Sequence, residues 1–358
     1  MRFHERLGLE HPLIQAPMAG AQGSALALAV CRAGALGSLP AAMLSPDALR
    51  AELQTLHSGT DRAWNVNFFC HQPPSPDAAR ESAWRATLAP YAAELGLDVN
   101  AAPAGAGRQP FSAALADLLE PFAPRVVSFH FGLPEPGLVA RIKRWGSLVL
   151  SSATTVDEAR WLEAHGADAV IAQGLEAGGH RGHFLDMDLS RQMGSFALLP
   201  QVVAAVRVPV IAAGGLADAA GVAAALALGA QAVQVGTAFL CCDEASTGAL
   251  HRAALQSDAS RHTALTNLFT GRPARGIVNR LMREQGPLSD RPPAFPLATA
   301  ALAPLRAAAE AQGRSDFTPL WAGQNTAGCR PGPAAERVRE LCAAVSGPAA
   351  PGARGAAA

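Results

Sequence analysis

The run Gln173-Gly174-Leu175-Glu176-Ala177-Gly178-Gly179-His180-Arg181-Gly182 sets an imidazole, a carboxylate and a guanidinium in a glycine-rich stretch. Imidazole titrates near neutrality, so a small change of surroundings makes His180 either a proton acceptor or a cation. Glycine permits unusual backbone angles and lets a ligand come close to the main chain. Residues 169–172, Ala-Val-Ile-Ala, form a short apolar run that reads as a buried strand. His180 is therefore expected on a loop just past a strand end. A solvated surface loop is the plain alternative, and the elements around it must decide.

Those elements alternate. Strands are expected at 11–18, 34–39, 64–69, 125–129, 147–151, 169–172, 209–213 and 232–235, with helices between most of them. Ser24 is expected to cap the first helix, Ser45 before Pro46 the second, and Asp218 the one before the last strand. Alternating strands and helices mean right-handed crossovers and a parallel sheet. Eight such units in about 240 residues fit a (β/α)₈ barrel, with a doubly wound sheet second.

The expected division is a barrel over 1–245, a mostly helical addition over its mouth at 246–314, and a return segment with a final helix at 315–345. Residues 98–110 read as an irregular loop, and the Gly/Ala/Pro-rich 346–358 as a disordered tail.

In such a barrel the active site lies at the C-terminal strand ends, with phosphate commonly held by the loops after the seventh and eighth strands. Here those loops carry Gly214-Gly215 and Gln234-Val235-Gly236-Thr237. Small residues leave backbone N–H groups free to meet an anion, and Thr237 adds a hydroxyl. Ordinary strand–helix turns are the alternative for either loop alone. Ala16-Pro17-Met18, Asn67 and the His180 loop face the same mouth. Pro17 and Met18 offer an apolar floor for a flat ring, and the amides of Asn67 and Gln173 can each donate and accept to a heterocycle. Gly178 and Gly179 allow close approach. Together these features describe a phosphorylated aromatic cofactor beneath His180. Glu176 is expected to order its loop through Arg181 or a backbone N–H, and His71, His130 and His183 to be wall or surface residues.

Other classes are disfavoured. With 29 basic and 29 acidic residues the net charge is zero, which argues against a nucleic-acid binder. No GxGxxG or Walker A motif is present, and the six cysteines show no metal spacing. No signal peptide and no membrane span are evident, so a reduced, cytoplasmic enzyme is expected, as a monomer or homodimer.

The sequence resembles the nitronate monooxygenases, and class I members most. The likeness runs from about residue 13 to 324. It is carried by Gln15-Ala16-Pro17-Met18-Ala19-Gly20, Asn67-Phe68-Phe69-Cys70-His71, the whole 173–182 run, Ala212-Ala213-Gly214-Gly215, Gln234-Val235-Gly236-Thr237 and Leu320-Trp321-Ala322-Gly323-Gln324. The resemblance implies an FMN-dependent (β/α)₈ barrel that oxidises alkyl nitronates with O₂ to a carbonyl compound and nitrite. It implies that His180 is the active-site base and partner of bound nitronate. It places Asn67, Gln173, Gly178, Gly215 and Gln234 to Thr237 against FMN and Met18 near the flavin ring. An FMN-dependent NAD(P)H enoyl-thioester or quinone reductase of the same barrel group is the alternative, and a non-catalytic barrel for a phosphorylated ligand a remote one. One departure stands out. The family lines its substrate pocket with tyrosines and a lysine, whereas this chain has one tyrosine, Tyr91, on an expected helix. Residues 295–306 hold Phe295 but no Tyr and no Lys.

Overall fold

The computed structural model describes residues 2–98 and 108–345. Most of the expected loop at 98–110 and all of the tail at 346–358 lie outside the described residues. Eight parallel strands form the barrel: β1 (Leu13–Gln15), β2 (Gly37–Pro40), β3 (Trp64–Phe69), β4 (Val126–His130), β5 (Leu148–Ala153), β6 (Ala169–Gln173), β8 (Val210–Ala213) and β9 (Ala232–Val235). The label β7 belongs to Gly179–His180, outside the barrel. The order β1-β9-β8-β6-β5-β4-β3-β2 is closed by one parallel bridge, Ile14 to Leu36. The strands are buried throughout because helices cover one side and the barrel interior the other. That double burial is why they read as apolar runs.

Two cores result. Leu13, Val170, Ala212 and Val233 face outward and pack against helical residues such as Leu26, Leu198 and Val222. Ile14, Ile171, Ile211 and Leu150 face inward, with Phe3, Leu7 and Leu9 packed against the same set. The apolar filling leaves the opposite, C-terminal strand ends to the cavity.

Local signals mostly behave as expected. Ser45 Oγ accepts from Ala48 N at 3.2 Å and Asp218 Oδ1 from Gly221 N at 2.7 Å, so both cap their helices. Ser24 is different. It is the first residue of its helix, and its N–H is satisfied at 2.6 Å by the Glu52 carboxylate from the next helix. A long-range acceptor has replaced the local cap. The first strand is shorter than 11–18, because Pro17 has no N–H to extend the ladder beyond Ala16, whose N–H still reaches Val235 O at 2.8 Å.

After β9 the chain carries a hairpin, β10 (Thr263–Thr266) and β11 (Ala274–Ile277), among helices Ala249–Leu255, Arg280–Gln285 and Ala298–Ala311. β7 joins this hairpin as its third strand, pairing His180 with Ala274 and Gly179 with Arg275. The loop after β6 is thereby tied to residues nearly a hundred positions later. All six cysteines are free, with Cys241 Sγ 3.2 Å from Cys329 Sγ. Among the described residues no helix is long and apolar enough to cross a membrane.

Candidate active site

The C-terminal strand ends open into a cavity of about 480 Å³. Every residue expected to catalyse or to bind the cofactor lines it: Ala16, Pro17, Met18, Asn67, Gln173, Gly178, Gly179, His180, Gly215, Gln234, Val235, Gly236 and Thr237. Among the described residues no cluster of His, Cys, Asp or Glu is arranged to hold a metal ion.

The His180 loop is fixed from inside. Gln173 Oε1 accepts from Gly182 N at 2.8 Å, and its Nε2 donates to His180 O at 3.0 Å. Half of the Gln173 amide is thus spent on the loop, leaving one N–H for a ligand. Arg181 is fully buried and donates to Gly174 O, Gln173 O and Gln192 Oε1. Glu176 does not hydrogen-bond Arg181. Its carboxylate accepts from both N and Oγ of Ser195 at 2.9 Å, which joins the loop to the start of the next helix.

The His180 ring lies in an aromatic box. Its centroid is 6.3 Å from Phe69, 6.0 Å from Phe131, 5.3 Å from Phe295 and 5.6 Å from Trp321. Its Nε2 is 2.9 Å from Thr270 Oγ1, and that hydroxyl lies 3.3 Å from Arg272 O. The Arg272 carbonyl can only accept. When the hydroxyl proton points to it, Nε2–H donates to Thr270 and the Nδ1 lone pair is left for the cavity. Burial first, and then the charge of Arg108, holds the His180 pKa well below the usual 6.5. The ring is therefore neutral, the form that accepts a proton. Thr270 and Arg108 were not singled out in the sequence. Thr270 reaches His180 only through the β10–β11 hairpin, and nothing local to either residue signals it.

Of the other three histidines near the strand ends, His130 lines the cavity, whereas His71 and His183 lie outside its lining. His130 Nε2 lies 3.1 Å from His180 O and its Nδ1 3.1 Å from Ser152 Oγ. His71 and His183 are buried, and both nitrogens of His183 lack partners. Burial is the leading cause that pushes His71, His130 and His251 to about 4 and His183 to about 3. Each folded pKa lies below the unfolded value near 6.5, so the unfolded chain binds more protons between them. This stability is fully present above 6.5 and is lost as pH falls toward 4. The melting temperature is expected to be level above about pH 7 and to fall steadily below about pH 6. Thermal unfolding followed by circular dichroism tests this, and a flat profile down to about pH 4 would refute the burial of neutral rings.

The other end of the cavity suits a phosphorylated cofactor. Gly214 and Gly215 turn after β8 with φ of 110° and 74°, conformations that L side chains rarely adopt. The N–H groups of Gly178, Gly215, Gly236 and Thr237 donate to no main-chain group among the described residues. Thr237 Oγ1 accepts from Gly323 N at 2.9 Å, so its own proton is free to donate. Asn67 Nδ2 is held by Ser128 O and Oγ at 3.2 and 3.0 Å, which leaves its carbonyl as an acceptor. Met18 lies beside Gly236 on the floor. Free N–H groups at one end, an apolar floor and amides between match the parts of a flavin nucleotide.

A family model described as "Nitronate monooxygenase" matches residues 2–344. The chain belongs to the nitronate monooxygenase family. It is 44% identical over 341 residues to a nitronate monooxygenase of Paraburkholderia phytofirmans, covering 94% of this chain and 92% of that one. A solved nitroalkane oxidase from Streptomyces ansochromogenes superposes with a TM-score of 0.88 at 41% identity, over 96% of this chain and 98% of that one. The structure of FabK from Thermotoga maritima is more distant, with a TM-score of 0.70 at 28% identity over 95% and 94% of the two chains. Nitronate monooxygenases are flavin-dependent oxidoreductases, and the (β/α)₈ barrel expected from the sequence is shared with these structures. Tyr91, the single tyrosine, is remote from the cavity, packing on Phe317 with its hydroxyl at Gln285.

Proposed function

We propose that this chain oxidises alkyl nitronates with O₂ to a carbonyl compound and nitrite, uses FMN, and accepts neutral nitroalkanes after removing their α-proton. The observation that carries this reading is an imidazole, hydrogen-bonded to Thr270, walling the cavity that the free N–H groups also face. Bound flavin supplies the electron transfer and the reaction with oxygen. The chain's own residues do the rest. The backbone at Gly178, Gly215, Gly236 and Thr237 would hold the single phosphate of FMN. Asn67, Gln173 and Gln234 would meet the ring edge. His180 Nδ1 would take the α-proton of a nitroalkane, and the imidazolium so formed would stay beside the anion it created. Phe69, Phe131 and Phe295 keep water from that pair, which strengthens the attraction between them.

The test is direct. The purified protein should be yellow, release FMN on denaturation, and form nitrite from ethylnitronate without NADH. A colourless protein that cannot be reconstituted with FMN would sink the cofactor assignment. Fast anaerobic flavin reduction by NADH, with no nitrite from nitronates, would transfer the chain to the reductases of this barrel group.

A further inference from the structure

Among the described residues lining the cavity, Arg108 is a cation without a carboxylate partner. Arg108 lines the cavity beside the aromatic box. Its position is set by the end of β3, where Phe111 N donates to Phe69 O at 2.8 Å. Its Nη1 donates to Thr299 Oγ1 at 3.3 Å, and its guanidinium carbon lies 5.5 Å from the centre of the Phe295 ring. Phe295 in turn stands 5.3 Å from His180, so Arg108 and His180 flank the same ring.

Arg306, also at the cavity, is paired with Glu310 at 2.7 Å. Arg272 does not line the cavity: it is stacked 4.1 Å from Phe131 and donates to His183 O, with its buried Nε unpartnered. No carboxylate among the described residues acts on Arg108, and burial alone lowers its pKa. Among the described residues this half-buried guanidinium has a hydroxyl and a ring for company, an arrangement that is costly unless an anion joins it. The phosphate of the cofactor, on the reading above, faces the backbone of Gly178, Gly215, Gly236 and Thr237 and not Arg108.

We propose that Arg108 is the substrate-binding cation of this cavity, receiving the negatively charged nitro group of the nitronate and presenting its α-carbon toward His180. This rests on the functional reading above. A planar guanidinium matches two oxygens on one atom, as in a carboxylate or a nitronate, through two parallel N–H···O bonds. The anion would also cancel the Arg108 charge that lowers the His180 pKa. A bound anion therefore raises the proton affinity of His180, which is the change a base needs once it has taken a proton. Arg108 selects the nitronate over the neutral nitroalkane, because only the anion gains from the charge.

The experiment uses the flavin-loaded protein and nitrate, a planar and unreactive anion, titrated by calorimetry, alongside steady-state kinetics. Arg108→Gln should weaken nitrate binding and raise KM for ethylnitronate about tenfold or more, as expected for loss of a charge-assisted bidentate pair. KM for neutral nitroethane should rise by a clearly smaller factor than KM for ethylnitronate, since the neutral substrate brings no charge to the guanidinium on binding. Arg108→Lys should recover much of the nitrate affinity. Thr299→Val, which removes the acceptor of Arg108 Nη1 and also the donor to Phe269 O at 3.1 Å, should shift the ethylnitronate KM in the same direction by a smaller factor. Unchanged nitrate affinity and ethylnitronate KM in Arg108→Gln, with flavin retained, would overturn the proposal. So would an equal rise in KM for nitroethane, which marks a merely structural role. Should Arg108→Gln not fold, the Lys and Thr299→Val variants decide by the same two readouts. Nitrate binding needs no turnover, so Arg108-dependent nitrate binding in a protein that releases no nitrite would refute the functional reading and not the anion site.

Discussion

His180→Asn is expected to lower kcat/KM for neutral nitroalkanes by about 10²–10⁴, the range for loss of a positioned general base. Asparagine keeps a polar group for Thr270, whose hydroxyl lies 2.9 Å from Nε2 in the parent, and fills part of the aromatic box. It has no group that accepts a proton near neutrality. Flavin content should be largely retained, because three of the four proposed phosphate donors, Gly215, Gly236 and Thr237, lie on other loops and the His180 ring is not among them. Nitronates arrive already deprotonated, so their oxidation should fall less. The pH profile gives a second check. Burial and Arg108 hold the imidazole below 6.5, so the base form persists at neutral pH. The acid limb of kcat/KM for nitroethane should therefore lie below the ordinary histidine range and vanish in the variant. A variant that deprotonates nitroethane at the parent rate would remove His180 from the reaction.

The second large effect is expected from Gly178→Ala. A Cβ there would lie 2.5 Å from Gly323 N and 2.6 Å from Ala322 C. Both are backbone atoms, so no side chain can swing aside. Gly323 N is tied to Thr237 Oγ1 at 2.9 Å, and Gln324 N to Glu176 O at 3.0 Å. The methyl must therefore push the return segment away from both the 174–178 loop and the β9 loop. The cost in stability should be about 1–3 kcal/mol, as for other overpacked sites. Flavin retention after dialysis should fall sharply, because the displaced parts include Thr237. Gly179→Ala is the control. Its φ of 71° makes alanine strained, yet nothing lies within 4 Å of the added carbon. It should cost about 1–2 kcal/mol of backbone strain and keep more of its flavin. Equal flavin retention in the two variants would mean that the return segment yields freely.

The barrel was legible because its strands are buried on both sides and so several read as unbroken apolar runs, such as residues 169–172 and Val210–Ala213. Strand order then follows from alternation and handedness. The helix caps at Ser45 and Asp218 were legible because capping is a local bond between near neighbours. Ser24 was misjudged as a cap because its real partner, Glu52, lies on another helix. The hairpin strands β10 and β11 were missed within a segment read as mostly helical, and β7 is a two-residue strand with no period to detect. Its existence depends wholly on Ala274 and Arg275 being alongside.

The residue types and spacing of 173–182, read with the two glycine loops, were enough to place His180 and the candidate cofactor donors at one barrel mouth. Those placements follow from short-range rules: strand ends point one way, and successive strand–helix loops share a rim. What His180 faces was decided only by tertiary structure. Phe69, Phe131, Phe295, Trp321, Thr270 and Arg108 come from separate parts of the chain and meet through packing. The protonation state of the imidazole was decided there too. It depends on how much water that packing excludes and on how near a guanidinium is brought, and neither quantity is written in the order of residues.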